Sequence, residues 1–204
     1  MPSSGGVPMR RLLLLFLLVP VLAAQAFAHP HVFADVKVKV VYDAKGFAGI
    51  ENRWVYDEIY SAAMASSADK DNDGKFSADE SQDLQTSILG PIEQNNYFNY
   101  VLAGSAFLKA SRVRDFKASL VKGKLTLDFV VDFSMPAKGD WTMLVVAVAD
   151  PTNYIQMTAD MENAEVKSPE SLEVEFFSDA LEGLTMFKAF RPEIEGLYLR
   201  YKKK

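Results

Sequence analysis

From Val32 to Val40 the chain alternates without a break. Val32, Ala34, Val36, Val38 and Val40 fall on one side, and Phe33, Asp35, Lys37 and Lys39 on the other. A period of two sends successive side chains to opposite faces, so this segment reads as a strand with one face in a core and one in water. Asp43-Ala44-Lys45-Gly46 is a turn, and Phe47–Val55 is the returning strand of a hairpin. Tyr97–Ala103, Phe107–Phe116, Lys124–Phe133 and Thr142–Ala149 carry further strand signals, as do Tyr154–Thr158, Leu172–Phe177 and Leu197–Tyr201 more weakly. Between the hairpin and these strands, helix formers run from Tyr56 to about Ala68 and from about Ala78 to Leu89, where Gly90-Pro91 stops them. The expected fold class is α+β: an antiparallel β-rich domain with an inserted helix–calcium loop–helix unit at about 56–93.

The hairpin is preceded by a segment with the three parts of a secretory leader. Arg10 and Arg11 form the basic end, Leu12–Leu22 the apolar stretch, and Ala24, Ala26 and Ala28 the small residues near the cut. The apolar stretch is too short for a membrane span. Cleavage after Ala28 leaves a single domain, 29–204, exported to the periplasm without a stable membrane anchor. Cleavage after Ala26 also satisfies the pattern. The mature chain carries 20 basic against 27 acidic residues, a net charge of −7, which argues against nucleic-acid binding. There is no cysteine, so neither disulfides nor thiolate metal sites are available.

Two residue constellations carry chemistry. The first is Asp69-Lys70-Asp71-Asn72-Asp73-Gly74-Lys75-Phe76-Ser77-Ala78-Asp79-Glu80, which fits the twelve-residue EF-hand pattern at every defined position. Calcium takes six to eight hard oxygens. Asp69, Asp71 and Asp73 would supply carboxylates, Lys75 its carbonyl, Ser77 the ninth position and Glu80 two closing oxygens, while Gly74 permits the turn and Phe76 anchors the loop. With one such loop and a polar second helix, a structural calcium ion is expected rather than a sensor.

The second constellation is the pair His29 and His31, the chain's only histidines, placed directly behind the cleavage site. A start at His29 sets a free α-amine, its own imidazole and a second imidazole close together. Such nitrogen ligands suit copper, nickel, cobalt or zinc. Pro30 has no amide hydrogen to lose, which blocks a planar site built on deprotonated amides at that start. A start at Phe27 instead provides amine, amides and the His29 imidazole for a square-planar ion. His29 and His31 share the strand parity of Asp35, which is the expected oxygen ligand or supporting partner. The bland alternative is that both histidines only flank the cut.

His29-Pro30-His31-Val32-Phe33, Trp54-Val55-Tyr56-Asp57-Glu58, the Asp69–Glu80 loop and Asp150-Pro151-Thr152-Asn153-Tyr154 together resemble, in that order, the bacterial periplasmic family catalogued as domain of unknown function 1007. The resemblance covers nearly the whole mature chain. It departs at Asn153, where a second aromatic is expected beside Tyr154. Members are similar to periplasmic components of transport systems and are often encoded beside nickel/cobalt-type inner-membrane transporters. The resemblance therefore implies a non-enzymatic accessory for divalent transition-metal transport, with an inner-membrane metal transporter as partner and no catalytic residues to carry over. Two other readings stand beside it. One is a calcium-stabilised periplasmic domain that binds a protein partner, with the histidines incidental. The other is an N-terminal copper-brace redox protein, which normally draws a further imidazole from a distant strand that this chain lacks.

Overall fold

The computed structural model describes residues 31–181 and 194–204. The expected leader, its expected cleavage sites and His29 lie outside them. No helix among the described residues is long and apolar enough to cross a membrane.

Eleven strands form two sheets packed on one core. β1 (Val32–Asp43) and β2 (Gly46–Tyr56) are the expected antiparallel hairpin, closed where the Asp43 carboxylate accepts from the N–H groups of Lys45 and Gly46 at 2.7 and 3.1 Å. They lie centrally in the first sheet, whose order is β5 (Arg112–Val121), β6 (Lys124–Pro136), β2, β1, β8 (Ile155–Ala159), with β9 (Glu165–Lys167) also on β1. The second sheet runs β10 (Leu172–Ala180), β11 (Glu195–Lys203), β7 (Thr142–Val148), β3 (Asn99–Ala103), β4 (Ala106–Phe107). The valines of β1 are buried and its charged residues face outward, as the alternation requires.

The expected fold class is corrected in two respects. First, strands take 53% of the described residues and helices 20%, and the first sheet is mixed: β8 and β9 both run parallel to β1. The chain leaves β7 in one sheet and returns beside β1 in the other. That long-range crossover leaves no local periodic signal. Second, no inserted helix–loop–helix unit stands apart from the sheets. Helix α1 (Glu58–Ala68) packs chiefly on β6, and α2 (Ala78–Leu89) on β5 and the 3₁₀ stretch that follows it, while the two helices touch each other only slightly. Ser61, fully buried in α1, accepts the N–H of Leu125 at 2.8 Å and donates to the Tyr56 carbonyl at 3.3 Å. Leu84, Ile88 and Leu89 join α2 to the common core. The helices are thus a layer over the sheet, fixed by sheet contacts and not by each other.

A 3₁₀ stretch (Gly90–Phe98) follows and ends in three consecutive non-glycine residues with positive φ: Asn96, Tyr97 and Phe98. Such conformations cost of order 1–3 kcal/mol each and persist only where the surroundings impose them. The Asn96 amide donates to the Leu108 carbonyl and accepts the N–H of Ala110, while the buried Phe98 ring stacks 6.4 Å from Trp54. This bend delivers the chain from the helices into the second sheet. It also splits the expected Phe107–Phe116 strand into β4 and β5.

Two polar ties cross the core. The Asn52 amide on β2 donates to Asn99 Oδ1 on β3 at 3.0 Å, and Asn52 Oδ1 accepts from Trp54 Nε1 at 3.3 Å. Tyr201 on β11 donates its hydroxyl to the Met135 carbonyl on β6 at 3.0 Å. Both asparagines are buried, so losing one partner strands the other's polar groups away from water. The substitution Asn99→Ala is expected to lower stability by about 1–3 kcal/mol, read as a lower midpoint in urea unfolding.

Candidate functional site

Three of the four segments that distinguish this sequence meet at one end of the first sheet. His31 donates its backbone N–H to the Tyr154 carbonyl at 3.0 Å, and Val32 donates to the same oxygen at 3.3 Å. The His31 and Tyr154 rings lie 5.2 Å apart and tilted. Two residues on, the Phe33 N–H donates to Asp57 Oδ2 at 2.9 Å, and the Asp57 N–H donates to the Phe33 carbonyl at 2.9 Å. The chain entering β1 is therefore held on one side by the Asp150–Tyr154 turn and on the other by the β2–α1 junction.

Each holder is itself built locally. Asp150, 2% exposed, accepts from the N–H and hydroxyl of Thr152 at 2.8 and 2.7 Å and from the Ile155 N–H at 2.9 Å. This is the aspartate-led turn that a short Asp-Pro-Thr run favours, and it presents Tyr154 beneath His31. Asp57 is the N-cap of α1. Its Oδ1 accepts from the N–H groups of Ile59 and Tyr60 at 2.9 Å each, and its carbonyl accepts from Ser61 at 3.0 Å. Tyr60 packs 4.6 Å from Tyr56, and burial, then the neighbouring Tyr154 and Asp57, push its phenol up. Phe33, Ile59 and Tyr154 leave large apolar surfaces exposed around His31.

Asp35 does not join this group. It shares the outward face of β1 with His31, but four residues of strand set them roughly 13 Å apart, and its cross-strand neighbours are Val55 and Thr158. Tyr154 is brought to His31 itself, and Asp57 to Phe33 two residues on. Sequence parity could not find them, because they come from segments more than twenty positions away.

The acidic loop lies at the other end of α1, about 16 Å along the helix axis from Asp57. Among the described residues, Asp69, Asp71 and Asp73 are the one group of three or more potential metal ligands whose oxygens approach within 4.8 Å of one another. Asp69, mostly buried, accepts from the N–H groups of Asp73 and Gly74 at 3.1 and 2.9 Å. Gly74 has φ +77°, a conformation that disfavours any side chain. For Asp71, the hydrogen bond from Asp73 lowers the carboxyl, but burial and the charges of Asp73 and Glu80 outweigh it and the net shift is upward. That is the signature of crowded anions. Glu80 stands outside this group of three. It accepts from the Ser77 N–H and hydroxyl at 2.8 Å each and from the Lys70 N–H at 2.7 Å, which together hold its carboxyl below the ordinary value. Ser77 and Glu80 form the capping box of α2, Phe76 packs against the core, and the Lys75 N–H donates to Asp73 at 2.8 Å.

A family model described as "Protein of unknown function (DUF1007)" matches residues 13–178. The chain belongs to this family. An uncharacterized protein of Haemophilus influenzae is 27% identical over 133 residues, or 64% of this chain and 63% of that relative. The chain thus spans somewhat less than two thirds of that relative's length. The family match covers the His31, Asp57 and Tyr154 segments and the acidic loop alike.

Burial alone would raise the Asp57 carboxyl, but the N–H groups of Phe33, Tyr60 and Ile59 outweigh it and hold the group below 3.8. A carboxylate with a lowered folded value contributes stability above its unfolded value and loses it as pH falls through the folded one. Asp57→Asn is therefore expected to be less stable than the parent at neutral pH, with the difference shrinking as pH falls below the ordinary aspartate value and through the lower folded one. Unfolding midpoints measured between pH 2 and pH 7 test this.

Proposed function

We propose that this protein is a non-enzymatic, periplasmic metal-binding accessory for divalent transition-metal transport. The observation that carries this reading is the placement of every imidazole in the chain at positions 29 and 31, beside a strand entry held by Tyr154 and Asp57. A strand entry fixed in this way holds His31 ready to join the mature His29 amine and imidazole around nickel, cobalt, copper or zinc. The cargo passes to or from an inner-membrane transporter. Asp35 drops from the ligand set on distance, and further ligands come from the incoming partner or from water.

The test begins with intact-mass analysis of the exported protein and continues with titration of that species, calcium present, against copper(II), nickel(II), cobalt(II) and zinc(II). A start at His29 with sub-micromolar binding that His31→Ala weakens at least tenfold supports the reading. No binding of any of the four ions overturns it.

The Asp69–Glu80 loop is assigned a structural calcium ion. Its donor set fits: three convergent carboxylates, a glycine at the turn, and Glu80 able to exchange its Ser77 and Lys70 bonds for an ion. Modules of this kind outside the cytoplasm bind in the ~0.1–1 mM range. Calcium at about 10 mM is then expected to raise the melting temperature by roughly 3–10 °C. Glu80→Gln should abolish that gain, as read by thermal unfolding with and without the ion.

An apolar surface favours a second reading, a protein-interaction domain. On the outer face of the second sheet, Phe177 and Tyr198 stack 5.1 Å apart beside the exposed Met143, and Arg200 and Lys202 lie over the Trp141 ring. If His29 and His31 can both be replaced by alanine without changing metal tolerance, this reading takes precedence.

A further inference from the structure

We infer that Asp57 is a positioning residue for His31, acting through the backbone of β1 and not as a ligand. This rests on the metal-binding reading above. In the β1–β2 ladder Ala34 pairs with Tyr56, so the next pair is Phe33 with Asp57. An antiparallel pair of this type exchanges two N–H···O=C bonds. One is present: the Asp57 N–H donates to the Phe33 carbonyl. The other is not made by the Asp57 carbonyl, because that oxygen accepts from Ser61 and opens helix α1. The Asp57 side chain replaces it, with Oδ2 accepting the Phe33 N–H at 2.9 Å. The strand is thereby extended toward His31 past the point where its partner has become a helix.

The replacement requires a carboxylate. Three N–H groups converge on Asp57, those of Ile59 and Tyr60 at Oδ1 and that of Phe33 at Oδ2. Asparagine has one acceptor oxygen, and its NH₂ would face a donor on the other side. Serine caps a helix well but is one bond shorter. Either residue preserves the start of α1 and releases Phe33. With the Phe33 N–H released, the strand entry keeps only the Asp57 N–H to Phe33 carbonyl bond and the bonds to Tyr154, and the backbone that carries the His31 imidazole loses one of its anchors. Residues that orient metal ligands without touching the metal typically change affinity about 10- to 100-fold when replaced.

The test uses the full exported protein, its mature start verified by mass, titrated with copper(II) alone and followed by electron paramagnetic resonance. Asp57→Ser and Asp57→Asn should retain the fold by circular dichroism, bind copper(II) about 10- to 100-fold more weakly and change the nitrogen hyperfine pattern. Ser61→Ala is the control for a loosened α1, since it removes the buried Leu125 contact and leaves the Phe33 bond intact; it should lower stability while keeping affinity and spectrum. Parental affinity and spectrum in folded Asp57→Ser overturn the inference, as does an equal loss of affinity in Ser61→Ala. Failure of both Asp57 variants to fold assigns the residue to the fold alone and also overturns it. If the unsubstituted protein takes up no copper(II), nickel(II), cobalt(II) or zinc(II), the metal-binding reading itself has failed. Wild-type binding with no Asp57 effect removes only the positioning role.

Discussion

The Asp57 carboxylate joins three pieces of structure that otherwise have no direct link. Its backbone N–H closes the last rung of the β1–β2 ladder, its carbonyl opens α1, and its side-chain oxygens accept the Phe33 N–H on one side and those of Ile59 and Tyr60 on the other. A strand that turns straight into a helix ordinarily leaves the neighbouring strand with an unpaired N–H at the junction. Here the side chain supplies the missing acceptor. β1 therefore stays hydrogen-bonded up to Phe33, and Tyr154 on the opposite edge holds it to His31. The same helix that begins at Asp57 ends at Asp69, the first carboxylate of the acidic loop. One rigid element thus fixes the spacing between the two chemically distinctive regions of the chain.

Around that junction the core is formed by two sheets whose inner faces are almost wholly apolar. It is crossed by the Asn52–Asn99 pair and by the Tyr201–Met135 bond. Apolar burial drives the association but tolerates sliding, whereas a buried donor must meet its acceptor. The two ties therefore fix the register of one sheet against the other. Trp54 is fully buried beside Asn52, with Phe129 edge-on at 4.9 Å, so the largest side chain of the core and its main polar network share one locality.

Much of this was legible residue by residue. The alternation of Val32–Val40 located β1 and its buried face, and Asp43–Gly46 located the hairpin turn. The Ala78–Leu89 helix followed from its run of helix formers and the Gly90-Pro91 stop. The parallel pairing of β8 and β9 with β1 was not legible, because pairing partners are chosen across the chain by which faces remain to be covered. The positive-φ run Asn96–Phe98 was equally hidden, since no glycine announces it and Trp54 and Leu108 impose it from outside.

For the candidate site the division is sharper. The sequence alone determined that both imidazoles stand next to each other at the head of β1, that the acidic residues of 69–80 have calcium-ligand spacing, and that no thiol can take part. These are matters of residue type and short spacing, fixed by covalent connectivity. Only the tertiary structure decided what stands beside His31. It separated Asp35 by the rise of an extended strand and brought Tyr154 to His31 and Asp57 to Phe33, from segments far along the chain. Parity along one strand specifies a direction for each side chain. Proximity also depends on which other strands and helices pack against that strand, and this is set by burial and hydrogen bonding over the whole fold.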